Sequence, residues 1–197
     1  MNDYRELLGR VDGWYARAKA AAGDKLPCAK GCRDCCLGLF DVTLADAELL
    51  REGLAKAAPG VRKDIQARAS EIMSRLRAVF PGLGEDFDGW SEKDIDAVCD
   101  ELGEVECPVL GPAGECRLYE HRPMTCRLCG PPLVDVSGKV VHPEGCPKCL
   151  LKPSETVPFA CLELHRDERR LLKKQFPGRS GVVLLIPQAL VQELPQK

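Results

Sequence analysis

Cysteine dominates whatever chemistry this sequence can do, with twelve in 197 residues. Four of them fall within nine positions, Cys28-Ala-Lys-Gly-Cys32-Arg-Asp-Cys35-Cys36. Thiolates are soft, charged ligands suited to Zn²⁺ or iron–sulfur centres, and crowding them is unfavourable unless a cation offsets their charge. On a straight helix these positions would share one face but spread along roughly 12 Å of axis. Thiolates on one tetrahedral ion must lie within about 4 Å of each other. The backbone must therefore bend, with Gly31 the obvious place, or the four must serve different ions. Free cysteine is also a common small core residue, but four in nine residues are too many for that reading.

A second constellation, Cys107-Pro-Val-Leu-Gly-Pro-Ala-Gly-Glu-Cys116, joins two thiols through a Pro/Gly-rich turn. A third pairs Cys126-Arg-Leu-Cys129 with Cys146-Pro-Lys-Cys149, two CxxC knuckles at zinc-ribbon spacing. A thioredoxin-like redox pair would need a surrounding βαβ pattern, and none is present. The spacing predicts two separate sites. One draws on Cys28, Cys32, Cys35, Cys36, Cys107 and Cys116, and the other on Cys126, Cys129, Cys146 and Cys149. The first has more thiols than a closed zinc site uses, which suits a functional centre; the second suits a staple. Cys99 and Cys161 sit on apolar helical stripes and read as core. His121 and His165 read as surface or supporting groups, and His142, four residues before Cys146, as the reserve ligand.

The elements that must position these thiols are mostly helical. Tyr4, Leu7, Leu8, Val11, Trp14 and Tyr15 recur at helical spacing over residues 3–22. Thr43 with Asp46 forms a capping-box-like start, Pro59 can open the next helix, and Ser91 with Asp94 can cap a short one. Residues 104–153 are different, rich in Pro, Gly and Cys with little apolar periodicity, and so need something other than hydrocarbon to hold them. Helical pattern returns over 158–176, and Val182–Ile186 reads as a short strand or buried tail segment. The expected fold class is mainly α: a helical domain with an irregular, metal-stapled Cys-rich insert and little β structure. One domain is expected over 1–197, with the cysteine region at about 25–150 and a C-terminal helix and tail over 154–197.

Composition narrows the partners. A net charge of −2 gives no general attraction to phosphate backbones, and 5% aromatics offer few stacking surfaces, so nucleic acid is disfavoured. The basic stretch Arg166–Arg179 is interleaved with acids and reads as a solvated helix face. The longest apolar run, Val182–Ile186, is far too short to span a bilayer. The charged opening Met1-Asn2-Asp3 lacks the apolar core of an export signal, which makes a reducing, cytoplasmic setting the expectation and metal ligands the first reading of the thiols. No P-loop, dinucleotide fingerprint or nucleophile elbow is present, and no catalytic group can be named.

The order Cys28-x3-Cys32-x2-Cys35-Cys36, then Cys107-Pro-x-Leu and Gly114-x-Cys116-x-Leu-Tyr119-x-x-Arg122-Pro123-x-x-Cys126-Arg127, resembles the CxxCxxCC family, also called the YkgJ-type cysteine-cluster family. The resemblance implies a zinc- or iron-chelating domain over about 25–150. It implies shared ligands at Cys28, Cys32, Cys35, Cys36, Cys107, Cys116, Cys126 and Cys146, with Cys129 and Cys149 additional in this chain. Arg122 and Arg127 match the motif's tail, where an arginine beside thiolates would offset charge and donate to sulfur. Zinc, iron or a 4Fe-4S cluster would each satisfy such ligands, because all accept four sulfurs. The expected role is chelating or metallochaperone-like. The motif is also similar to that of a bacterial flagellin lysine methylase of iron–sulfur type. It therefore implies, as alternatives, an iron–sulfur-dependent modifying enzyme or an interaction module with structural zinc.

Overall fold

In the computed structural model, which describes residues 2–29, 31–38, 40–82, 91–102 and 105–191, the chain is mainly α-helical. The first helix, α1 (Asn2–Ala22), turns Tyr4, Leu7, Leu8, Val11, Trp14 and Ala18 to one side and buries them. Strand β1 (Asp41–Thr43) leads into α2 (Leu44–Lys56), and the capping box forms: Thr43 Oγ1 accepts from the Asp46 N–H at 3.3 Å, and Asp46 accepts from the Thr43 N–H. Pro59 opens α3 (Pro59–Val79), where its missing N–H leaves no intrahelical bond unmade. A second box, Ser91 with Asp94, starts α4 (Glu92–Leu102). The side chain of Cys99, expected in the core of this helix, lies outside the described residues.

The Cys-rich stretch carries more regular structure than its composition suggests. It holds a five-residue helix, α5 (Met124–Leu128), and a hairpin of β2 (Leu133–Val134) and β3 (Val140–His142) turning at Gly138. Helix α6 (Cys161–Gln175) begins three residues later than its apolar pattern, because Phe159 N–H donates to Val134 O and holds the preceding segment against the hairpin. The tail resolves into a strand, β4 (Val183–Leu185), antiparallel to β1, followed by α7 (Ile186–Val191).

Three apolar clusters carry the fold, the third of them joining α3, α4 and β4 through Ile72, Met73, Leu76, Val98 and Leu185. In the first, α1 packs on α6 through Leu8, Val11 and Trp14 against Leu164, Leu171 and Leu172, with Met124, Leu133 and Phe159 completing it. Trp14 stacks on Phe159 with ring centroids 5.0 Å apart and donates its indole N–H to Val157 O at 2.8 Å. In the second, α2, α3 and α7 meet through Leu50, Ile65, Ala69, Ala189 and Leu190, with Val109 and Leu118 from the Cys-rich stretch. Each such side chain contributes about 1.5–3 kcal/mol on burial. The insert is therefore anchored in hydrocarbon at several points, rather than lacking any core as its composition implied. No helix among the described residues is long and apolar enough to cross a membrane.

Candidate metal centre

The first cysteine loop bends where the sequence allowed it. Gly31 adopts φ +89°, Cys32 N–H closes a turn onto Ala29 O, and Asp34–Cys36 form one turn of 3-10 helix. A straight helix is thereby avoided and the four thiols are not strung along an axis. The loop then pairs with the segment around Cys107: Gly38 N–H donates to Val105 O at 2.9 Å, and Cys107 N–H to Cys36 O at 2.8 Å. An ion pair between Arg33 and Glu106 at 3.2 Å runs along the same seam. The turn between Cys107 and Cys116 folds back on itself, with Leu110 bridged to Cys116. Its tip presses on the first loop so closely that a Cβ on Gly114 would lie 2.8 Å from Gly31 O.

The CxxC knuckles are joined in the same way. Cys146 N–H donates to Gly130 O at 2.7 Å, and a Cβ on Gly145 would come within 2.5 Å of that oxygen, so only glycine fits there. The second knuckle also reaches the first loop, through Lys148 to Asp34 at 2.8 Å and Leu150 N–H to Lys25 O at 2.8 Å. On the helical side Tyr15 of α1 packs against Gly130, and burial followed by its neighbour Cys28 raises its phenol.

The Cys28, Cys32, Cys35, Cys36, Cys107, Cys116, Cys126, Cys129, Cys146 and Cys149 thiols are all free and partly buried. Burial pushes Cys126 well up, and Cys107, Cys129 and Cys116 add to it. Burial pushes Cys129 up to about 12, with Cys35, Cys146 and Cys28 adding and Arg122 opposing. Cys146 is raised by burial and then by Cys28, Asp34 and Cys32. Burial raises Cys107 to about 11, with Cys116 adding to it. Cys35 and Cys36 share a hydrogen bond that lowers Cys35 and raises Cys36, and burial, Cys35, Cys107 and Cys116 raise Cys36 further. Cys126 thus carries the influence of Cys107, Cys129 and Cys116, and Cys146 that of Cys28 and Cys32, so the electrostatics reach across both groups expected from spacing.

Burial and repulsion by neighbouring thiols disfavour the thiolate at Cys36, Cys107, Cys116, Cys126, Cys129 and Cys146, and a divalent cation would reverse both effects. The chemistry of the donor set fits a soft metal. Among the described residues, however, no three Cys, His, Asp or Glu side chains stand close enough around one point to hold an ion as they are. The remaining approach would accompany binding, as it does where metal and folding are coupled.

The two arginines of the motif part company. Arg122 lies over the Tyr119 ring at 3.8 Å, and its charge bears on Cys35, Cys116 and Cys129. Arg127 is buried and turned elsewhere, donating to Arg122 O at 2.9 Å, to Glu120 O at 2.8 Å and to the Asp12 carboxylate. It fixes the chain before Cys126 rather than facing sulfur. His142 lies exposed on β3, His165 is partly exposed on α6, and His121 packs against Gly53 of α2. Cys161 is buried, 2% exposed, at the start of α6.

Several positioning residues were not singled out for this role from the sequence. Asp46, the capping-box acid, is buried and also accepts from Tyr4 Oη at 2.5 Å and from the Met124 N–H at 2.9 Å. Burial pushes its carboxyl up against the pull of these donors. By binding α1, α2 and the first residue of α5 at one point, it sets where Cys126 begins. Asp135 accepts from Ser137 N–H at 2.9 Å and from Leu162 N–H at 3.0 Å, joining the hairpin to the start of α6; these bonds hold its carboxyl down at about 2. The sequence signal for Asp46 was the Thr43-x-x-Asp46 box, which read as local.

A family model for the CxxCxxCC domain, described as "Putative zinc- or iron-chelating domain", matches residues 27–147, well over half of the chain. The chain belongs to the CxxCxxCC family. No curated protein and no solved structure matches it.

Proposed function

We propose that this protein binds zinc or iron through its clustered thiolates and acts as a chelator or metallochaperone. The observation that carries the reading is that four segments bearing ten partly buried, free thiols are tied to one another by backbone hydrogen bonds. Cys28, Cys32, Cys35, Cys36, Cys107, Cys116, Cys126, Cys129, Cys146 and Cys149 form the donor pool. When bound, the metal would supply positive charge that stabilises these groups as thiolates. Arg122 adds a fixed positive charge that bears on three of them. Ten donors exceed what one closed zinc site uses, which supports exchange of metal between thiols rather than a permanent staple. The reading places the protein in a reducing compartment, where the thiols stay available, and treats the chain as one domain.

The test is metal and sulfide analysis, with an absorption spectrum, of protein purified without oxygen. Zinc or iron released on alkylating the thiols supports the reading, and the metal found identifies the cargo. A reduced protein that carries no metal and takes up neither added zinc nor iron overturns it.

A further inference from the structure

We infer that Arg68 and Arg117 are positioning residues for metal binding: together they hold the four successive carbonyls from Cys107 to Leu110 against α3, and so fix the backbone that runs from Cys107 towards Cys116. This rests on the metal-binding reading and holds whichever thiols share an ion. Neither arginine is among the residues that carry the family resemblance.

Asp64 and Arg68 stand one turn apart on α3 and so share a face of it. Arg117 reaches that face, donating from Nη1 to the Asp64 carboxylate at 2.6 Å, from Nη2 to Pro108 O at 3.0 Å and from Nε to Val109 O at 3.3 Å. Its backbone N–H also donates to Val109 O, at 3.1 Å. Arg68 takes the carbonyls on either side, donating to Leu110 O and, at 3.4 Å, to Cys107 O. Glu106 carries the tie onward, with one oxygen 3.5 Å from Arg68 and the other 3.2 Å from Arg33 in the first cysteine loop.

The Cys107–Leu110 stretch lies in no helix and no named strand, and Pro108 has no N–H to give, so its carbonyls depend on side chains. The Arg117 side chain is only 13% exposed, which makes an orphaned carbonyl there costly. A guanidinium donates in fixed directions to two carbonyls at once, which the single ammonium of lysine does not reproduce. Outer groups that orient metal ligands are worth about 10- to 100-fold in affinity. Coupling is reciprocal, so a metal held by the turn strengthens the grip on α3 by the free energy it draws from it.

Cobalt(II) is the probe, titrated into the full, reduced chain, where its visible bands report a tetrahedral thiolate environment. Arg68→Met and Arg117→Met should each weaken cobalt binding about 10-fold and reduce those bands. Arg117→Lys keeps the charge but not the fork, and should lose nearly as much. Arg51→Met controls for general stability, because it also removes an arginine bond to a carbonyl, that of Ala189 in α7 at 2.7 Å, and it should leave cobalt affinity unchanged. Equal weakening by Arg51→Met would assign the effect to stability, and full affinity in Arg117→Lys would assign it to charge; either result overturns the positioning role. Hydrogen exchange on the wild type needs no variant: cobalt should slow the amides of residues 64–69 in α3, and unchanged exchange there overturns the role as well. A wild type that takes up no cobalt, zinc or iron sinks the metal-binding reading instead.

Discussion

Helix α1 meets α6 through a continuous apolar surface in which Leu8, Val11 and Trp14 face Leu164, Leu171 and Leu172. The segment from Val105 to Leu150 meets its surroundings at separate points: a carbonyl, a glycine contact, a buried carboxylate, an anchoring Leu118 or Met124. Between those points it presents thiols. The helical frame can tolerate adjustment, because dispersion and burial are spread over many atoms. The insert cannot adjust in the same way, since each hydrogen bond ties down a particular residue. A metal site needs sulfurs placed to within a few tenths of an ångström, and a segment pinned at discrete points around a stiff frame limits how far its thiols must travel on binding.

The largest way to break this contrast is to remove the metal. Structural zinc in small thiolate sites supplies on the order of 10–16 kcal/mol of apparent binding energy. Strong chelation should make residues 105–150 sensitive to protease while far-UV circular dichroism retains most of its helical signal. Unchanged protection of that segment, after metal analysis has verified removal, would show that its hydrocarbon anchors suffice alone.

Next comes the division of labour between the two arginines. Arg127→Met leaves Glu120 O, Arg122 O and Asp12 without their donor, at a cost of about 2–4 kcal/mol. It should lower the unfolding midpoint of the metal-loaded protein markedly. Arg122→Met removes a charge that bears on three thiols and should weaken metal binding about 10-fold with little change in stability. Competition with a chromophoric chelator and thermal unfolding measure the two effects. Similar profiles for both variants would show that neither arginine is specialised.

The frame was legible in the sequence because its determinants are local. The Thr43–Asp46 and Ser91–Asp94 boxes span three residues each, and the α1 stripe repeats every turn. The identity of the site was legible too, since thiol density needs no three-dimensional knowledge. The contacts that position the thiol segments were not. They include Cys107 to Cys36, Met124 to Asp46 across 78 positions, and Leu162 to Asp135 across 27. Those donors are backbone N–H groups, which every residue except proline carries, so no residue type announces them.

A further test lies within the frame. Glu168 of α6 is buried beside Asp46 and Tyr4, with His165 at 3.9 Å, and burial followed by Asp46 raises its carboxyl to about 7. A raised pKa means the folded state holds the proton more tightly than the unfolded chain. Its contribution is complete below the ordinary glutamate value near 4.3 and is lost as pH rises through about 7. Unfolding of the full chain should therefore become easier from pH 5 to pH 8, by about 2 kcal/mol. Glu168→Gln should flatten that slope and be the more stable protein at pH 8. An unchanged slope in the variant would assign the pH dependence elsewhere.

The smallest effect concerns one joint between the insert and the C-terminal helix. Asp135 belongs to the β2–β3 hairpin, yet its carboxylate accepts the Leu162 N–H in the first turn of α6, where helix N–H groups have no intrahelical partner. Asp135→Ala removes the acceptor and should lower Tm by about 2–4 °C, the usual loss for one cap in a chain of this length. Asp135→Asn keeps a carbonyl oxygen at the same place and should recover most of that loss. Because the Asp135 carboxyl is held down at about 2, its contribution is present above the usual aspartate range and lost only as pH falls through that value. The difference between wild type and Asp135→Ala should thus be constant across neutral pH. If Asp135→Asn is as unstable as Asp135→Ala, the negative charge facing the helix dipole matters more than the acceptor itself. If neither variant changes Tm, the hairpin and α6 are held together by Phe159 packing and its N–H bond to Val134 O, and the joint is hydrocarbon after all.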